Sequence, residues 1–274
     1  MQFTKMVKLN LRLTVSSLFA LAAFASFGQS VTLKSKHTLP FEPTTVSIDR
    51  QGYLYIANKE GTIHKLNTQG EIQSTFSPQK RGMPTLLETW QGLRVFVFYQ
   101  NFQEYLLLNR FLANENRVST DFQNQAPYTG LATLSNDNNL WLLNDRDLIL
   151  TKRDINNQEI ISETQLNLIT NFNRLDIHFM RAYQNFLFMA TNNGILIFDN
   201  LGNYMSVLSQ EDTEFFTFNG EELIFLKEDV VQMISISSKT KREIRLPELP
   251  KLVIMENNQV FAFQGKDLIV YVIN

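Results

Sequence analysis

The stretch Val46 to Ile72, VSIDRQGYLYIANKEGTIHKLNTQGEI, decides the fold. Its apolar runs, Tyr53 to Ala57 and Thr62 to Leu66, are separated by the turn Asn58-Lys59-Glu60-Gly61 and flanked by Asp49-Arg50-Gln51-Gly52 and Asn67-Thr68-Gln69-Gly70. Each turn ends in Gly, which takes positive φ without steric cost and so closes a short β connection. The reading is strand, turn, strand, turn, strand, and a ribbon this short leaves its apolar faces uncovered.

Further copies of the unit cover them. The pattern recurs at Leu93 to Tyr99 after Gln91-Gly92, at Leu140 to Leu143, at Phe186 to Ala190, at Leu223 to Leu226 and at Val260 to Phe263. With Leu54, Arg94, Trp141, Leu187, Ile224 and Phe261 as equivalent points, the intervals are 40, 47, 46, 37 and 37 residues, the length of one four-stranded blade. Six repeats predict an all-β, six-bladed β-propeller whose inner strands begin near Thr45, Thr85, Gly130, Asp176, Phe215 and Leu252. The last repeat, 252–274, has room for only three strands, Leu252 to Met255, Val260 to Phe263 and Asp267 to Ile273, while 31–39 reads as one lone strand ahead of the first repeat. Residues 31–39 are therefore expected to supply the outer strand of the sixth blade and close the ring, leaving no terminal sheet one strand short.

Composition fits this reading. With 44% apolar and 19% charged residues the chain is globular, and 22 Phe and 8 Tyr against 2 Trp suit strands packed on both faces. Cys is absent, which excludes disulfides and thiolate metal sites. Lys5, Lys8 and Arg12 ahead of the apolar run Leu13 to Ala25, with the small residues of Ser26-Phe27-Gly28 after it, read as a signal peptide over residues 1–30, cleaved near Gly28 or Gln29. That run is too short to cross roughly 30 Å of hydrocarbon at about 1.5 Å per residue, so no membrane span is expected. Residues 31–274 are then one propeller domain. Removing the leader takes 25 basic against 27 acidic residues to 22 against 27, a balance of −5. That sign, with Lys and Arg scattered, excludes nucleic acid as a partner.

The blade pattern Ile48-Asp49-Arg50-Gln51-Gly52-Tyr53-Leu54-Tyr55-Ile56-Ala57-Asn58, echoed by Phe198-Asp199-Asn200-Leu201-Gly202-Asn203-Tyr204, resembles the NHL-type and gluconolactonase-type six-bladed propellers of exported bacterial proteins. With the leader ending Phe24 to Gln29 and the segment Phe76-Ser77-Pro78-Gln79-Lys80-Arg81-Gly82, it is similar to exported propellers of the Bacteroidetes. The resemblance implies a fold and leaves function open, because such families include binding scaffolds, lyases and metal-dependent lactonases. A lactonase of that kind would need Glu, Asn and Asp converging on the channel from the inner strands. The polar channel candidates are Glu88, Asp176 and His178, and no Asn completes them, so neither metal nor cofactor is expected. His37 and His64 fall on other strands. Alternation over Asp176 to Arg181 is expected to put Asp176, His178 and Met180 on one face and Ile177, Phe179 and Arg181 on the other.

The remaining candidates lie in long connections. Lys80 and Arg81 sit between two prolines, Phe102 follows the second repeat's apolar run, Tyr128 lies within 113–130, and Phe172 and Arg174 lie within 167–174. Connections between blades share one face, and aromatics with basic residues carry interface energy. The expected function is an exported, non-catalytic propeller that binds a protein or cell-envelope component through this loop face and is monomeric outside any complex. The alternative is a metal-dependent hydrolase, lactonase or lyase acting at the channel. Because the sixth blade needs every residue up to Asn274, no C-terminal sorting domain is expected, which favours the periplasm over secretion to the medium.

Overall fold

The computed structural model describes residues 30–113, 116–121, 128–169, 176–210 and 213–274. The leader assigned to residues 1–30 therefore lies, but for its last residue, outside the described residues. The first strand, β1, is Val31–Thr38. Blade 1 follows with β2 (Thr45–Ile48), β3 (Leu54–Ala57), β4 (Ile63–Leu66) and β5 (Ile72–Phe76). Blade 2 has β6 (Leu86–Glu88), β7 (Arg94–Tyr99), β8 (Glu104–Asn109) and β9 (Asn116–Ser119). Blade 3 has β10 (Leu131–Leu134), β11 (Asn139–Asn144), β12 (Ile149–Asp154) and β13 (Ile160–Gln165). Blade 4 has β14 (Ile177–Tyr183), β15 (Phe186–Thr191), β16 (Gly194–Asp199) and β17 (Tyr204–Leu208). Blade 5 has β18 (Phe216–Asn219), β19 (Glu222–Lys227), β20 (Val230–Ser235) and β21 (Lys241–Arg245), and β22 (Leu252–Glu256), β23 (Gln259–Gln264) and β24 (Asp267–Ile273) complete the order.

Each blade is a four-stranded antiparallel sheet, and the sixth runs β1-β24-β23-β22. The ring is thus closed by the N-terminal strand. Val31 stands opposite Ile273 and Thr38 opposite Asp267, Asn274 N donates to Ser30 O at 3.0 Å, and Asn274 Nδ2 reaches Thr32 Oγ1 at 2.7 Å. Of the inner strands, β2 and β22 start where expected and the other four start one residue later.

The short turns owe their shape to one device. Asp49 Oδ1 accepts from the amides of Gln51 and Tyr53 at 2.9 and 3.0 Å, and Asn58, Asn67, Asn109 and Asp199 each accept from the amides two and four residues on. The side chain replaces a backbone partner, and the chain then needs positive φ three residues after it. Gly52 supplies that at φ 83°, whereas Leu112 supplies it at φ 61° after Asn109. The second blade's turn accordingly carries no glycine signal.

Two buried lysines staple neighbouring blades. Lys152, on β12 of blade 3, directs its ammonium to Asp137 Oδ2 at 2.7 Å and to the carbonyl and side-chain oxygens of Asn200 in blade 4 at 2.8 and 2.9 Å. Lys65, on β4, does the same toward Arg110 O of blade 2 at 3.1 Å and lies over the Tyr53 ring at 4.2 Å. Burial favours the neutral acid at Asp137, but hydrogen bonds from Lys152 and Ser135 and the lysine charge bring its carboxyl down to about 2. A depressed carboxyl stabilises the fold above its ordinary value of 3.8, and that contribution is lost as pH falls from there toward 2. Lys152→Met should cost about 1.5–3 kcal/mol, the usual worth of charged hydrogen bonds, and flatten this acid-side loss; urea titrations at pH 2.5 and 6 would check it.

Outer strands end four of the six sheets with a broken edge. The extra residue of a bulge interrupts β1 between Leu33 and Ser35, and equivalent register shifts occur where β5 meets β4, β13 meets β12 and β17 meets β16. Bulges twist an edge out of register for pairing with another chain.

Candidate functional site

The inner strands bring polar side chains together, where most find partners in one another, although Arg181 Nε makes no hydrogen bond. Glu88, at the end of β6, and Arg181, on β14, are each only 3% exposed. Arg181 Nε lies 3.6 Å from Glu88 Oε1. Thr133 Oγ1 donates to Glu88 Oε1 at 2.7 Å, Leu134 N donates to Oε2 at 3.1 Å, and Ala182 N donates in turn to Thr133 Oγ1 at 2.9 Å. Arg181 Nη1 reaches Thr217 Oγ1 at 3.3 Å, and Thr89 Oγ1 donates to Ser47 Oγ at 3.0 Å. Blades 1 to 5 each contribute a side chain to this belt. Burial pushes the Glu88 carboxyl up to about 7 despite the Arg181 charge and the bonds from Thr133 and Leu134.

Aromatic rings pack beside the belt. Phe179 meets Phe215 and Phe216 at 5.1 and 4.8 Å, and Tyr183 stacks on Phe218 at 4.1 Å while reaching Trp90 of blade 2 at 5.1 Å. Glu88, expected as a water-lined channel group, is instead locked in a packed hub. Asp176 and His178 do stay exposed, with Asn192 Nδ2 donating to Asp176 Oδ2 at 3.2 Å. They form no ligand set with Glu88.

The expected alternation along β14 fails at His178. The β14–β15 register shifts between Ile177 and Phe179, so His178 is the extra residue of a bulge. Ile177 consequently packs with Met180 and Ala182, while Phe179 joins a different cluster. The sequence reading did not single out Arg181 as a hub residue. A buried arginine in an otherwise apolar inner strand was the available signal, since such a charge requires a buried partner.

The loop face is built differently. In the 77–85 connection, Lys80 places its ammonium 3.9 Å over the Phe102 ring and 3.5 Å from Glu104 Oε1. Phe102 stacks in turn on Tyr99 at 5.8 Å, and the loop can approach it this closely because residue 82 is Gly: a Cβ there would collide with the ring. Gln103, at φ 53°, clamps the next connection, donating to Thr129 O at 2.9 Å and accepting from Thr129 N at 2.8 Å. That holds Tyr128 beneath Arg146, whose guanidinium lies 4.4 Å from the ring. Arg81 is exposed. Of the expected set, the structure therefore pairs Lys80 with Phe102 and gives Tyr128 a partner, Arg146, that the sequence reading did not name. Phe172 and Arg174 lie outside the described residues.

Fold and site together define a six-bladed propeller with a packed hub and a face of stacked aromatic and basic side chains. No protein-family model matches the chain, and no curated protein sequence does either. Among solved structures it is similar to virginiamycin B lyase from Staphylococcus aureus, with TM-score 0.60, 11% identity and coverage of 89% of this chain and 99% of that one. It is also similar to YCF48 bound to D1 peptide, with TM-score 0.58, 12% identity and coverage of 88% and 97%, and to BamB from Moraxella catarrhalis, with TM-score 0.51, 13% identity and coverage of 88% and 97%. At these identities the likeness is one of fold.

Proposed function

We propose that the protein is an exported, non-catalytic propeller that docks a protein or cell-envelope component on its loop face. The observation that carries this is the pair of cation-on-ring contacts, Lys80 over Phe102 and Arg146 over Tyr128, set on two consecutive blades beside exposed Arg81. Flat rings held in place by neighbouring loops lose little freedom when a partner covers them, and arginine and tyrosine dominate interface hot spots. The fold likeness to YCF48, a propeller seen bound to a peptide, supports the same reading. The alternative of a hydrolase, lactonase or lyase at the channel has the lyase likeness behind it, but Glu88 would have to leave a buried site where Thr133 and Leu134 hold it to act.

In this reading residues 1–30 direct export, residues 31–274 form the domain, and the mature protein works in the periplasm, in the manner of NHL-like propellers of the Bacteroidetes. No helix among the described residues is long and apolar enough to cross a membrane. Arg81→Ala combined with Arg146→Ala should leave unfolding within about 0.5 kcal/mol of the parent, as surface changes do, and should abolish capture of a partner from envelope fractions. Undiminished capture by a folded double variant would refute the docking face.

A further inference from the structure

A cleft of about 470 Å³ opens on the loop face between blades 6 and 1, lined by Pro40, Phe41, Glu42, Lys59, Glu60 and Lys266 among others. Its size is within the range that takes a drug-sized ligand. Three independent segments form it, and each is fixed. The connection from β1 to β2 is pinned where Leu39 N donates to Lys266 O at 2.8 Å and Thr44 N to Ala57 O at 2.9 Å. The turn between β3 and β4 is held by Asn58 Oδ1, which accepts from Glu60 N and Thr62 N at 3.1 and 3.0 Å, and by Gly82 N donating to Glu60 O at 3.2 Å. Phe41 is stacked on His64 at 4.0 Å with the rings 8° from parallel, so the apolar part of the lining is preorganised.

The charges in the cleft are informative because of how they fail to combine. Lys59 lies 3.8 Å from Glu60. Glu42 and Lys266 are exposed and line the same cleft, yet among the described residues neither side chain makes an ion pair or hydrogen bond. Some opposite charges elsewhere on the molecule close up, as where Arg242 meets Glu222 at 2.6 Å, Arg245 meets Asp229 at 2.9 Å and Lys36 meets Asp267 at 3.1 Å, but among the described residues no other unpaired carboxylate and ammonium share the lining of this cleft. A preformed cleft with an uncompensated carboxylate and an uncompensated ammonium, beside an apolar ring, complements a molecule of opposite polarity.

We infer that this cleft binds a short zwitterionic peptide, its ammonium end toward Glu42, its carboxylate end toward Lys266 and an apolar side chain against Phe41. The inference stands apart from the loop-face reading, because Lys80, Arg81, Tyr128 and Arg146 take no part in the cleft. Calorimetric titration with the tripeptide Ala-Leu-Ala, alongside its N-acetylated and C-amidated forms, tests it. Saturable binding of the free-ended peptide is expected, weakened about two- to fivefold by N-acetylation or by Glu42→Gln, and about two- to fivefold by amidation or by Lys266→Met, the scale of partly exposed charge pairs. N-acetylation should cost nothing further in Glu42→Gln, nor amidation in Lys266→Met. Both substitutions are at exposed positions, and a thermal melt of each variant confirms folding. No saturable binding at millimolar peptide, or equal binding of the blocked forms, would overturn the assignment.

Discussion

Arg181→Met should cost about 3–5 kcal/mol of folding stability, the usual penalty for removing one partner of a buried ion pair, and the deficit should be larger at pH 8 than at pH 5. The side chain it removes is, among the described residues, the one cation facing Glu88, and both are buried. Without it, an ionised Glu88 is left in the hub with only Thr133 Oγ1 and Leu134 N as donors. Burial already raises the Glu88 carboxyl from 4.5 to about 7 in the parent. A raised carboxyl stabilises the fold fully below its ordinary value, and that contribution is lost as pH climbs through the raised one; here the window runs from 4.5 to about 7. Removing the opposing charge pushes the group higher still and deepens the loss at pH 8. Glu256, also raised by burial and by Asp49, titrates in the same direction, so Glu88→Gln serves as the control and should flatten the slope. Urea unfolding of parent and variants at both pH values measures all of this, and an equal deficit at pH 5 and pH 8 would show that the pair does not control hub stability.

Deletion of residues 31–38 should lower the melting temperature by roughly 10 °C or more, on about 2–4 °C per kcal/mol for a domain of this size, or cause aggregation. The reason is the edge it uncovers. β24 would expose its whole outer row of backbone donors and acceptors, although Leu268, Ile269, Val270 and Tyr271 are at most 3% exposed in the intact sheet. It would also lack the bulge that interrupts β1. An unbroken apolar edge is a template for pairing with other chains. Light scattering with calorimetry reads the outcome, and an unchanged melting curve would mean that β1 is dispensable.

The blade count and the closure were legible because turn chemistry and strand spacing are local. Asp49 with Gly52, and Asp199 with Gly202, announce their turns in four residues. The hub was not legible, because it depends on which of two faces each inner residue takes. One bulge residue, His178, resets that choice for the rest of β14, and nothing in the alternation of Asp176 to Arg181 marks it. Lys65 and Lys152 carry no signal of their role for a related reason: they are buried against the next blade's turn, where Arg110 and Asn200 offer oxygens that only the assembled ring supplies. On the loop face, Lys80 and Phe102 were named from their place in the connections and lie in contact, while Arg146 was not named because nothing in the β11–β12 hairpin's sequence marks its approach to Tyr128.

The bond between Asn274 and Ser30 joins residues 244 positions apart, and so gives this small sheet a very high contact order. Five blades can form from neighbouring residues as the chain emerges, but the sixth must wait until its last residue is present and its first strand has been kept free of other partners. Bringing the ends together costs about 5 kcal/mol of chain entropy, borne mainly before the final contacts repay it, so closure should govern the refolding rate. A circular permutant that joins 274 to 30 and opens the chain between blades 3 and 4, near residue 170, makes that pairing local. It should refold faster than the parent while keeping every hub contact, so that the slow step of this propeller belongs to where its chain is cut rather than to the shape it reaches.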